Sequence, residues 1–124
     1  MPIMDAASAE QYEVHGSRFT SYVRPSTGSA QLCAWRLDVP AGTSGVPHRP
    51  SREEVLAVLA GSARVTLDGE TRVASAGDVI LVPAGAEFQV DVVGDEPLRA
   101  WVTTTVGLTA QLSDGTTMTP PWVA

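Results

Sequence analysis

The chain has 124 residues, a net charge of −6 at pH 7 and 44% hydrophobic residues. That length supports one domain with a single core. The acidic balance, without any basic cluster, argues against nucleic acid and anionic membranes as partners. No run of about 18 apolar residues and no basic-then-apolar N-terminus is present, so neither a membrane span nor a secretory signal is expected.

The lone Cys33 cannot close an intramolecular disulfide, which fits a reducing cytoplasm. Lysine is absent, which excludes covalent catalysis through a lysine amine. Asparagine is absent as well, which excludes N-glycosylation. The bias toward Ala, Gly, Val and Arg points to a GC-rich bacterial source.

Residues 1–16 are polar and read as an irregular lead-in arm. Short β-like runs follow at 18–23, 31–39, 55–60, 62–67, 70–74, 79–82, 87–93 and 98–106. Turn residues break them: Pro25 to Gly28, Pro40 to Pro50, Gly61, Gly77, Pro83 to Gly85, and Gly94 to Pro97. Asp68-Gly69 is a two-residue hairpin signal between alternating runs. No segment has a helical period, so about eight short strands predict an all-β sandwich or barrel. The barrel is expected over 17–106, with 107–124 as a C-terminal extension of one domain spanning 1–124. The final apolar stretch from Thr119 reads as extended, docked on its own barrel or on a second copy.

Period-two alternation assigns the faces. Trp35, Leu37 and Val39 share one face of their run, as do Ala63, Val65 and Leu67, and Phe88, Val90 and Val92. Glu54, Leu56 and Val58 can point inward together, which leaves Val55 and Leu59 outside. A strand apolar on both faces is usually covered on both, and a homodimer partner is the expected cover.

Two spaced patterns carry further information. Gly42, His48, Pro50, Glu54 and Gly61 form G-x5-H-x-P-x3-E-x6-G, and Gly77, Pro83, Gly85 and Phe88 form G-x5-P-x-G-x2-F. Together they resemble the two motifs of the cupin family, whose members are small jelly-roll barrels, also described as double-stranded β-helices, and commonly dimeric. The resemblance covers roughly Trp35 to Thr103. It implies that His48 and Glu54 face the barrel interior. In many cupins three histidines and one glutamate hold Fe, Mn, Ni or Zn. Here the second and third histidine positions are Pro50 and Phe88, and the closing asparagine position is Val92. With two donors left, no metal and no other cofactor are expected, because catalytic zinc and iron sites use at least three protein ligands.

The expected function is therefore small-molecule handling in a largely apolar cup. His48 is the candidate acid–base residue, since imidazole both takes and gives a proton near neutral pH. Glu54 is its candidate partner, orienting the ring by accepting a hydrogen bond, or held instead by Arg52 in an ion pair. Trp35, Pro50, Leu56, Phe88, Val90 and Trp101 are the candidate substrate-pocket residues. Metal-independent isomerase, lyase or cyclase chemistry is the leading reading, and the resemblance adds that some cupins catalyse such steps without metal. A non-catalytic binding or sensing module, and a metallocupin with incomplete protein ligation, are the alternatives. The position of His15 relative to the cup is left open.

Overall fold

Twelve strands account for the architecture of the computed structural model, which describes residues 2–124. They are β1 (Glu10–Val14), β2 (Ser17–Val23), β3 (Leu32–Val39), β4 (His48–Pro50), β5 (Glu54–Ala60) and β6 (Ser62–Leu67). After them come β7 (Glu70–Ser75), β8 (Val79–Val82), β9 (Phe88–Val93), β10 (Leu98–Thr105), β11 (Ala110–Leu112) and β12 (Thr117–Met118). Two six-stranded antiparallel sheets result, in the orders β1-β2-β3-β10-β5-β8 and β12-β11-β4-β9-β6-β7. This is the jelly-roll arrangement that the resemblance of the two motifs implies. Among the described residues the only helical segments are short 3-10 turns at Pro25–Thr27 and Pro121–Val123. No helix is long and apolar enough to cross a membrane.

Burial follows the alternation. Leu56 and Val58 of β5 are buried, while Val55 and Leu59 are exposed. Val65 and Ala63 of β6 and Val92 of β9 are buried opposite them. Leu98 is 2% exposed, and truncating such a side chain to alanine costs about 2–5 kcal/mol. The filled core does not extend through the whole barrel. Along β5 the interior changes from cavity wall at Glu54 and Leu56 to packed core at Val58. Along β9 the same change runs from Phe88 and Val90 to Val92, and along β10 from Val102 to Leu98.

The chain departs from the sequence reading at both ends. Part of the expected arm is a strand: Glu10–Val14 pairs with Ser17–Val23 through the two-residue turn His15-Gly16. Both turn residues have positive φ, 51° and 80°, the geometry that matches the twist of a hairpin. At the other end Pro121–Val123 curls into a 3-10 turn instead of running extended, and it docks on its own barrel. Trp122 stacks on Phe19 with ring centroids 3.7 Å apart. Its carbonyl accepts a hydrogen bond from Ser21 Oγ at 2.7 Å. Buried Arg24 donates to the Pro121 carbonyl at 2.9 Å and to the Tyr12 hydroxyl at 2.7 Å. Hydrophobic burial and two hydrogen bonds to its main-chain carbonyls thus hold the tail where it closes one side of the interior.

The segment between β3 and β4 lies against β9. Gly45 donates its N–H to Asp91 Oδ1 at 2.9 Å, and Val92 N–H donates to the Thr43 carbonyl at 2.9 Å. A Cβ at Gly45 would overlap the Val90 carbonyl oxygen, so only glycine allows this approach.

Candidate functional site

The interior cavity has a volume of about 260 Å³, roughly the space of nine liquid waters. Its wall is mostly apolar. β3 contributes Trp35, Leu37 and Val39; β5 gives Leu56; β9 gives Phe88 and Val90; β10 gives Val102. The first hairpin adds Val14, His15, Ser17 and Phe19, the segment before β4 adds Thr43 to Val46, and the tail adds Pro120 and Trp122. Besides His15, two titratable groups stand within that wall on opposite sheets, Glu54 at the start of β5 and His48 at the start of β4.

Glu54 is 6% exposed, and no hydrogen bond or ion pair to its carboxyl group occurs among the described residues. Burial without a partner disfavours the charged form, and it pushes the carboxyl pKa up to about 7. Near neutral pH the group is therefore poised between donor and acceptor. The alternative of an ion pair with Arg52 does not occur. The Arg52 guanidinium instead approaches Gly107, in the turn after β10.

His48 is half-buried. Its Nδ1 lies 3.0 Å from the Val46 carbonyl oxygen, which can only accept, so the proton of the neutral ring is assigned to Nδ1. Nε2 then carries the free lone pair. The ring also meets Phe88 edge-on, with centroids 5.6 Å apart and planes at 68°. The orienting partner is thus a backbone carbonyl and an aromatic face. The sequence reading gave that role to Glu54, and the structure corrects it, because no hydrogen bond joins the two side chains.

Four of the six expected pocket residues, Trp35, Leu56, Phe88 and Val90, lie on the cavity wall. Pro50 does not. It shares the inward face of β4 with His48, yet its ring is fully buried, so it meets packed protein and not open space. Trp101 does not either. Its neighbours Ala100 and Val102 are each 1% exposed and point inward, so alternation turns Trp101 outward, where it packs against Tyr22 at 5.3 Å. The wall residues from the first hairpin and the tail escaped the sequence reading. Only the fold brings residues 14–19 and 120–122 to the same cavity, and no local periodicity announces it.

The donor set does not fit a metal ion. Of the four motif positions, two lack a donor atom, and the Phe88 ring occupies the space beside His48. Among the described residues no group of three or more His, Cys, Asp or Glu side chains converges.

Comparison with known proteins agrees with the fold. The family model for the cupin domain matches residues 35–105, more than half of the chain. The chain belongs to the cupin family. Several solved cupins share its fold. The polyketide cyclase RemF from Streptomyces resistomycificus superposes with a TM-score of 0.80 at 17% identity, covering 91% of this chain and 85% of that one. A sugar phosphate isomerase of the cupin superfamily from Silicibacter pomeroyi DSS-3 gives 0.73 at 22% identity, covering 91% and 82%. An RmlC-like cupin from Shewanella frigidimarina NCIMB 400 gives 0.70 at 20%, covering 82% and 86%. At these identities the likeness establishes the fold of this cupin and nothing finer. No curated protein matches it in sequence.

Proposed function

We propose that this cupin handles a small, largely apolar molecule inside its barrel and moves protons on it, with Glu54 and His48 as acid and base and without a metal. One observation carries the reading: a buried, unpartnered carboxyl group with a pKa near 7 shares an apolar cavity with an imidazole whose Nε2 is free. Perturbed titratable groups in an apolar cavity are a common mark of catalytic sites.

The chemistry follows from the two protonation states. Protonated Glu54 donates its O–H to a carbonyl oxygen of the ligand. Neutral His48 accepts, on Nε2, a proton from the carbon next to that carbonyl. The C–H bond and the carboxyl O–H bond break while an enol O–H and an imidazolium N–H form, leaving an enol, a carboxylate and an imidazolium. Return of the proton to a different carbon completes an isomerisation. Attack of the enol carbon on a second carbonyl of the same molecule breaks that C=O π bond; its oxygen takes the imidazolium proton, the enol O–H returns its proton to the Glu54 carboxylate, and a cyclisation is complete. Positioned acid–base groups of this kind accelerate proton transfer by about 10²–10⁴-fold. Two of the structural neighbours are named for a cyclisation and an isomerisation, which supports this class of reaction.

Exchange of the α-hydrogens of 2-tetralone, a two-ring ketone of suitable size, tests the proposal in D2O by proton NMR. Wild-type protein should speed the exchange, His48→Ala should abolish the gain, and Glu54→Gln should reduce it. Exchange at the buffer rate in all three would rule out acid–base activity on apolar ketones. Tight binding without exchange would make the protein a binding module.

A further inference from the structure

We propose that His15, at the tip of the β1–β2 hairpin, is a third polar contact for the cavity's ligand, taking an oxygen-bearing group at the end of the ligand nearest the solvent. The proposal rests on the reading of the cavity as a ligand site, but it needs neither Glu54 nor His48 to be catalytic.

Two hairpin turns of the barrel are of the same kind. The β6–β7 hairpin turns through Asp68-Gly69 with φ of 47° and 84°. The β1–β2 hairpin turns through His15-Gly16 with φ of 51° and 80°. Both are two-residue loops with positive φ at each central residue, a geometry that favours Asn-Gly or Asp-Gly. At the first of these turns the side chain serves the fold, since Asp68 Oδ1 accepts a hydrogen bond from the Glu87 N–H at 2.9 Å. At the other, the imidazole has no hydrogen bond or ion pair among the described residues, although neighbouring Glu13 and Arg18 pair with each other at 3.2 Å. A side chain held in a left-handed conformation with no structural partner is a candidate for function. His15 also lines the cavity, flanked by Val14 and Ser17, while remaining exposed.

Depth orders the polar groups. Glu54 is deeply buried, His48 is half-buried and His15 is exposed. A ligand engaging all three has an apolar middle, with oxygen at its inner end and again at its outer end. An aromatic acid such as 2-naphthoate has the apolar body and one such oxygen group, and it serves as the probe.

Binding of 2-naphthoate is measured by calorimetry for wild type, His15→Asn and Val90→Phe, alongside thermal melts. Asparagine suits the turn at least as well as histidine, so His15→Asn should melt at or above the wild-type temperature. It should bind 2-naphthoate roughly five- to tenfold more weakly, the loss of one hydrogen bond. Val90→Phe fills the cavity and should abolish binding. Equal binding by wild type and His15→Asn, with loss in Val90→Phe, overturns the role of His15 and leaves the cavity reading standing. A lowered melting temperature for His15→Asn assigns the ring to the fold and overturns the proposal. No binding of 2-naphthoate to wild type also overturns it, and the 2-tetralone exchange then decides the proposed activity separately.

Discussion

Replacing Glu54 by glutamine should stabilise this protein above neutral pH and leave it nearly unchanged in acid. In the unfolded chain the carboxyl group loses its proton near its ordinary value of 4.5, while in the fold it keeps the proton to about 7. The folded pKa is the higher one, so the stability associated with the protonated form is complete below pH 4.5. It declines between pH 4.5 and 7 and is gone above that. Each pKa unit is worth about 1.36 kcal/mol, so the full loss is roughly 3 kcal/mol. Glutamine has nearly the same shape and does not titrate. At an unfolding entropy of about 2.1 cal/mol/K per residue, ~3 kcal/mol corresponds to a melting temperature roughly 12 °C higher for the variant at pH 8. Urea titrations of both proteins at pH 4, 5.5, 7 and 8.5 provide the check. A gap between wild type and variant that stays constant across this range would refute the argument, because it would mean that the carboxyl group is solvated or paired in the fold.

Trp122→Ala should cost about 3–5 kcal/mol in denaturant unfolding, the usual loss for a buried aromatic, and a loss under about 1 kcal/mol would show that the tail does not dock on Phe19. Phe88→His would place a third donor beside His48 and Glu54, and the folded variant should gain zinc affinity by calorimetry; no gain would mean that these three positions do not converge. We also propose a homodimer. Val55, Leu59, Val79 and Leu81 are exposed on the outer face of β5 and of the edge strand β8, and such apolar edges are usually covered. Light scattering at micromolar concentration should give about twice the 13.0 kDa chain mass, and a clean monomer would contradict it.

The barrel was legible because its strands obey a period of two and its turns carry glycine and proline where the backbone needs them. Asp68-Gly69 forms the turn its dipeptide announces. What escaped was short or irregular. β4 spans three residues ending in proline, β11 three, and β12 two, too few for any alternation to register. The Glu10–Val14 strand is exposed along much of its length, and only Tyr12 and Val14 on one face pack against the core, too short an alternation to register. For the site, spacing located His48 and Glu54 but not the relation between them. Whether a histidine is oriented by a carboxylate or by a carbonyl two residues back depends on the local path of the chain at Val46, which composition does not encode. Trp101 was misplaced for a simpler reason. Its size made it a tempting ligand contact, although the alternation of its own strand turns it outward.

The segment held against β9 by Gly45 has a consequence for how this scaffold can change. Much of the cavity wall is strand, where lengthening the chain by one residue would swap inward for outward side chains and undo the core. Between β3 and β4 the wall is a connection instead, tied to β9 by two hydrogen bonds and one close backbone approach. Residues inserted there would extend into solvent without disturbing either sheet. Ligand preference can thus diverge through this one segment while the barrel stays fixed, and grafting longer versions of it is the direct engineering route to larger ligands.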